Sequence, residues 1–110
     1  MDIEVAEVVD FLAEHAPFSD MLGSERITIA KEAQLRYFRR GTVIIEAGAP
    51  NNSLYIIRSG AVDIVEMNEG LVDRDEPGDS FGTSSVLTRL PSRYRATAIE
   101  DTLALVLPGR

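Results

Sequence analysis

The sequence predicts a mainly β domain: a jelly-roll-like β-roll, or double-stranded β-helix, carried behind two short N-terminal helices and interrupted by one short helix. Three observations predict it. The residues before about position 35 carry helical apolar spacing, those after it fall into short apolar runs punctuated by glycine, and one segment, Phe81 to Leu87, breaks the second rhythm. At 110 residues, 45% hydrophobic and 26% charged, the chain is one ordinary globular domain.

Val5, Val8, Val9 and Leu12 recur at i, i+3, i+4 and i+7, one stripe of a helix. Asp2, Glu4 and Glu7 suit the positive end of its dipole, and Pro17 stops it. A second helix is expected from Ser24, as N-cap, to about Leu35, with Ile27, Ala30 and Ala33 facing inward. Phe18 and Met21 are placed to pin the turn between the helices against the roll.

Strands are expected at Tyr37-Phe38, Thr42 to Glu46, Ser53 to Arg58, Ala61 to Glu66, Leu71 to Asp73, Arg95 to Glu100 and Thr102 to Leu107. The intervening Gly41, Gly48 to Asn52, Ser59-Gly60, Asn68 to Gly70 and Glu76 to Asp79 are turn chemistry, and this spacing marks a sandwich or roll. Leu54-Tyr55-Ile56-Ile57 is apolar on both faces and is expected to cross the core. Leu103, Leu105 and Leu107 face one way from the last strand, and Ala104 and Val106 the other. Between the strands, Gly82-Thr83-Ser84-Ser85-Val86-Leu87, closed by Pro91, reads as one or two turns of hydroxyl-capped helix. The free N–H groups at such a start, with glycine's freedom of φ, form a small anion cradle; a plain serine-capped turn is the alternative.

Composition narrows the function. Acids outnumber bases 18 to 11, a net charge of −7 that opposes binding to nucleic acid. Cysteine is absent and His15 is the single histidine, which removes thiolate chemistry and argues against a multi-histidine metal centre or a serine-histidine-aspartate arrangement. Apolar runs are far short of a membrane span and the acidic start is unlike a targeting signal. The expectation is a cytoplasmic, non-catalytic domain that binds neither nucleic acid nor membrane.

Ile44-Ile45-Glu46-Ala47-Gly48-Ala49, Leu54-Tyr55-Ile56-Ile57-Arg58-Ser59-Gly60-Ala61-Val62, Pro77-Gly78-Asp79-Ser80-Phe81-Gly82 and Ala98-Ile99-Glu100-Asp101-Thr102-Leu103 together resemble the cyclic-nucleotide-binding domain, the β-roll regulatory module of cAMP-responsive transcription factors, protein kinase regulatory subunits and gated channels. The resemblance spans nearly the whole chain, 1–110, and departs at Asn51, where the family has a small residue. It implies a phosphate-binding cassette opening at Gly82, with Thr83, Ser84, Ser85, Ser92 and Arg93 along it and Ile64 and Val72 lining the base and ribose pocket. The implied ligand is cAMP, cGMP or another small anion, with no other cofactor.

The family's cassette opens with a Gly-Glu pair, whose carboxylate accepts the ribose hydroxyl, and ten or eleven residues beyond the glycine an arginine holds the phosphate. Here Thr83 stands at the glutamate position. Aligning backward from Ala98 puts Ser92 at the arginine position, and counting forward from Gly82 with the longer spacing puts Arg93 there; both registers stay open. Loss of both partners would cost roughly 3–6 kcal/mol, two hydrogen bonds to charged groups, so the resemblance implies weak or lost binding of cyclic nucleotides. The bulky Tyr94 and Arg95 are expected to crowd the phosphate's entry. A ligand-free interaction or dimerisation module is the alternative function.

Three further expectations concern the surface. His15 is read as a solvent-exposed complement to a helix C-terminus. Arg36, Arg39 and Arg40 are read as ion-pair partners of the acidic first helix. The chain reaches Pro108-Gly109-Arg110 without the helices that cover the base in the family, so an apolar face left for self-association, as a homodimer, or for other domains of a larger chain is expected. The acidic balance, helix pair and Ser92-Arg93-Tyr94-Arg95-Ala96 cassette end resemble domains heading bacterial signalling proteins with CBS and nucleotidyltransferase modules.

Overall fold

Two four-stranded antiparallel sheets face one another, and the N-terminal helices cover the outer face of one of them. The structure, a computed structural model, describes residues 4–108, the Ser84 side chain excepted; Asp2, Gly109 and Arg110 lie outside the described residues. Helix α1 spans Val5–Ala13 and α2 Gly23–Glu32, with a 3₁₀ turn at Phe18–Asp20 between them. The strands are β1 Gln34–Phe38, β2 Val43–Ile45, β3 Ser53–Ser59, β4 Val62–Glu66, β5 Gly70–Asp75, β6 Ser80–Phe81, β7 Tyr94–Ala98 and β8 Thr102–Pro108, with α3 at Thr83–Thr88. One sheet runs β1-β8-β3-β6 and the other β2-β7-β4-β5. Among the described residues no helix is long and apolar enough to cross a membrane.

The period of two in the central strands divides the interior in two. Tyr55 and Ile57 from β3 and Ala104 and Val106 from β8 point between the sheets, where they meet Ile45, Val62, Phe81 and Ala96. Ile56 and Leu105 point outward and are covered by Val8, Phe11, Leu12, Phe18, Ala30 and Ala33. Full burial of such side chains contributes about 1.5–3 kcal/mol each, so β3 and β8, buried on both faces, are the axis of the fold. The stripe on α1 is as expected, with Phe11 added to it, and Phe18 is buried beneath the inter-helix turn, with Met21 packed beside it.

The second helix departs from expectation at both ends. Leu22 is its N-cap, not Ser24, and the Leu22 N–H donates to the Glu25 carboxylate at 2.9 Å, one half of a capping box. The helix stops at Glu32 because Leu35 is worth more as a strand residue, paired opposite Leu105 under the helices. Ile27 is exposed, while Ala30 and Ala33 are buried as expected. His15 is half-buried: its Nδ1 lies 2.8 Å from the Phe11 carbonyl, and its ring packs on Phe11 and against the buried Gly78. It does complement the helix end, but from inside a joint between α1 and the roll. The acidic helix is paired by Arg58, at 3.3 Å from Glu7, with the guanidinium over the Phe11 ring. Of the expected basic cluster, Arg36 instead lies over Phe38 and the Arg40 amide donates to Asp101.

Candidate functional site

The segment leading into α3 is set by the turn Glu76 to Asp79. The Gly78 amide donates to the Ile57 carbonyl at 2.8 Å and Ile57 donates back to Asp79, so the turn is clipped to the centre of β3. β6 is only Ser80 and Phe81, too short to be seen as a strand in the sequence. It pairs with Tyr55 and Ile56, and the Phe81 ring stacks on Tyr55 with centroids 5.0 Å apart.

Gly82 follows at φ +90° and ψ −4° and caps α3. A Cβ there would sit 2.6 Å from the Ser53 carbonyl and 3.0 Å from Asn51 Nδ2, so the position demands glycine on backbone and on space. Asn51 is the clamp. Its Nδ2 donates to the Ser53 carbonyl (2.9 Å), the Gly82 carbonyl (3.3 Å) and Ser85 Oγ (2.9 Å), and Ser85 Oγ in turn donates to the Gly82 carbonyl. The sequence marked Asn51 only as a departure from a pattern; the structure makes it the residue that fixes the start of α3. Ser85 is buried and its hydroxyl is consumed by this network. Thr83 is exposed, and its amide meets no acceptor among the described residues.

Beside this start lies a cleft of about 270 Å³, just below the roughly 300–1,000 Å³ usual for small-molecule sites. Gly82, Thr83, Ser85, Ser92, Arg93, Ile64 and Val72 all border it, so seven of the eight residues expected at the site come together; the eighth, Ser84, has its side chain outside the described residues. Val72 reaches the cleft because the β4–β5 register passes it over, pairing Ile64 with Asp73 and Val65 with Leu71, and this bulge lets neighbours 72 and 73 share one side.

Both candidate phosphate partners border the cleft, by different means. The Ser92 hydroxyl donates to the Tyr94 carbonyl at 2.7 Å and accepts from the Tyr94 amide. The Ser92 backbone is clipped to Gly48 and Ala49. Arg93 is exposed at the rim, its guanidinium carbon 5.7 Å from the Tyr94 ring centroid, and is the one cation among the lining residues. Tyr94 lines the cleft as expected, but Arg95 does not crowd it. The Arg95 side chain turns to Glu46, Nε to Oε1 2.7 Å, and this bond holds the Glu46 carboxyl below its ordinary range.

Two acids complete the lining, and neither was foreseen. Asp73 and Asp75 border the cleft while Arg74, between them, points away to a bidentate pair with Asp63 at 2.6 and 3.1 Å. Asp75 is only 4% exposed. Burial, then a hydrogen bond with Asp73 and the charges of Asp73 and Asp79, push its carboxyl up to about 7. The strand was expected to end at Asp73; a charge read as a strand terminus is in fact carried inward by two more residues.

The cyclic nucleotide-binding domain family matches residues 35–110. A cAMP-dependent protein kinase regulatory subunit from Yarrowia lipolytica is 30% identical over 89 residues, covering 80% of this chain and 24% of that protein. The solved regulatory subunit of a cAMP-independent protein kinase A from Trypanosoma brucei superposes with a TM-score of 0.88 at 25% identity, over 94% of this chain and 38% of that one. The Thermus thermophilus catabolite activator protein superposes with a TM-score of 0.74 at 27% identity, over 83% and 45%. The chain spans about a fifth to a quarter of the length of the cAMP-dependent protein kinase regulatory subunits it matches. With the glycine-hinged helix, the two-sheet roll and the cleft between them in place, the chain belongs to the cyclic nucleotide-binding domain family.

Proposed function

We propose that this domain is a non-catalytic, cytoplasmic ligand sensor whose cleft holds cAMP and cGMP weakly or not at all. The observation that carries the reading is the state of the two positions that should grip the nucleotide. Thr83 brings no carboxylate, and the Ser92 hydroxyl is spent on its own backbone, which leaves Arg93 at the rim as the cation available to an anion. Gly82 and its Asn51 clamp are intact, so the frame of the cassette persists where its charged grips do not.

A ligand settling on Thr83 and Arg93 would order α3 and its approach. The Glu76–Asp79 turn carries that strain toward the helices, because Gly78 touches both β3 and His15 at the end of α1. Ligand binding would then bias the packing of α1 and of whatever chain adjoins the domain. An output module of the CBS or nucleotidyltransferase type in a bacterial signalling chain is the context we favour, on sequence resemblance alone. The alternative, a ligand-free docking or homodimerising module, draws support from Leu87 and Leu90, 77% and 64% exposed on and beside α3.

Isothermal titration with cAMP and with cGMP tests the reading. The expected result is saturation only at millimolar ligand, about 4 kcal/mol of binding free energy. Micromolar or tighter binding of either nucleotide would show that the grips are supplied elsewhere and would overturn it.

A further inference from the structure

Charge is segregated along this chain. The first 25 residues carry seven acids and no Lys or Arg, so the remainder, with eleven charges of each sign, is formally neutral. Residues 80–99, by contrast, hold Arg89, Arg93 and Arg95 and no acid. Each of these stretches lies beside apolar surface that the fold leaves open.

The acidic stretch borders a groove. The helices cover the outer face of the β1-β8-β3-β6 sheet incompletely, and between α1 and β8 about 450 Å³ is left, floored by Val8, Leu35, Leu103 and Leu105 and rimmed by Glu4 and Glu7. At the helical repeat of about 3.6 residues, Glu4, Glu7, Asp10 and Glu14 share one flank of α1, the flank on which the groove lies. Arg58 is the one cation among the lining residues, and Glu7 and the Phe11 ring engage it. The basic stretch carries a projection. Leu87 and Leu90 stand exposed, with Arg89 between them, where α3 ends and the chain turns toward β7. Leu90 lies by Pro50, Asn51 and Asn52, just before β3, whereas the groove takes Arg58 and Ser59 from the other end of that strand. A strand of this length separates the two surfaces by roughly 20 Å, so the projection cannot enter the groove of its own copy.

We propose that the Leu87–Leu90 projection of one copy docks in the α1–β8 groove of a second copy of this chain. The leucines meet the apolar floor and the arginines face the acids along α1, so apolar contact and charge agree at one place. The two surfaces differ, so the contact is heterologous and repeats from copy to copy instead of closing as a symmetric pair. The net charge of −7 opposes close approach of two copies, which keeps the association weak and dependent on concentration. It gives the exposed leucines a receiving surface, and it stands whether or not the Gly82 cleft takes a ligand.

Sedimentation equilibrium of the intact chain, in a concentration series reaching about 1 mM, tests this. The mean mass should rise with concentration and follow open-ended association, with no plateau at a dimer. Leu90→Asp, and Glu4→Lys combined with Glu7→Lys, should each weaken the association by about tenfold or more. Mixed one to one, these two variants should associate again and stop at a heterodimer, because one keeps the groove and the other the projection. All three positions are exposed, and circular dichroism checks folding; should a variant unfold, Leu87→Asp or Glu4→Lys alone takes its place. A monomer throughout the series overturns the proposal. So does a dimer lost in Leu90→Asp but kept in Glu4→Lys with Glu7→Lys, the mark of a symmetric contact between two projections. Association that survives Leu90→Asp, or a mixture that stays monomeric, overturns it as well.

Discussion

Thr83→Glu combined with Ser92→Arg raises the affinity for cAMP by about a hundred-fold or more, because it restores two hydrogen bonds to charged partners worth roughly 1.5–3 kcal/mol each. The geometry favours the substitution. Thr83 is exposed at the mouth of the cleft beside an unengaged amide, so a glutamate enters without displacing packing. Ser92 is held by its backbone to Gly48 and Ala49, and that clip survives loss of its hydroxyl. The single substitution Arg93→Ala in the native chain separates the two registers. If Arg93 is the surviving phosphate partner, residual cAMP binding falls further; if it only covers Tyr94, binding is unchanged. The double substitution is read by calorimetry on protein shown to be folded, and no gain in affinity would mean that the cleft wall, and not the two missing grips, excludes the phosphate.

Asp75→Asn stabilises the domain by about 2 kcal/mol at about pH 8 and by little near pH 4. The sign follows from the direction of the shift. Asp75 titrates at about 7 in the fold, against an ordinary 3.8. The folded chain therefore holds this proton over a window in which the unfolded chain releases it, and stability falls as pH rises through that window. The favourable state is fully present below the unfolded value and lost through the folded one. Two charged neighbours set the window: Asp73 on the same strand and Asp79 in the next turn both raise it. A full shift of that size corresponds to about 4 kcal/mol at 1.4 kcal/mol per unit, and water in the open side of the cleft reduces it by about half. Asparagine keeps the shape of the protonated acid and can donate to Asp73, so it carries no such dependence. Thermal melts across this pH range should show the native midpoint dropping relative to the variant, by about 10 °C at the alkaline end. Parallel curves would place Asp75 in ordinary contact with water.

The fold was legible where period and volume agree. Alternation along Leu103 to Leu107 and the two-faced run Leu54 to Ile57 placed the central strands, and the i, i+3, i+4, i+7 stripe placed α1, because burial of those side chains admits one arrangement. Leu35 was misread as helical because a leucine suits either period, and only its pairing opposite Leu105 decides. Seven of the eight residues expected at the site border the cleft; Gly82, Thr83, Ser85, Ser92 and Arg93 belong to the local segment that opens at the Gly82 hinge, while Ile64 and Val72 come from β4 and β5. What stayed hidden depends on distant chain: Asn51 reaches Ser85 across 34 positions, and the inward turn of Asp73 and Asp75 follows from a bulge at Val72 that hydropathy does not announce. The direction of Arg95 likewise rests on Glu46, 49 residues earlier.

Amide NMR of the intact chain during titration with cAMP tests most directly whether the cleft beside Gly82 is where this domain meets its ligand. The result expected is a set of shift changes at Gly82, Thr83, Val72 and Arg93, with a weaker echo at Gly78 and His15. Movement confined to the Leu87 and Leu90 surface, or none at these amides even in Thr83→Glu with Ser92→Arg, would contradict the sensor and leave a docking scaffold in its place.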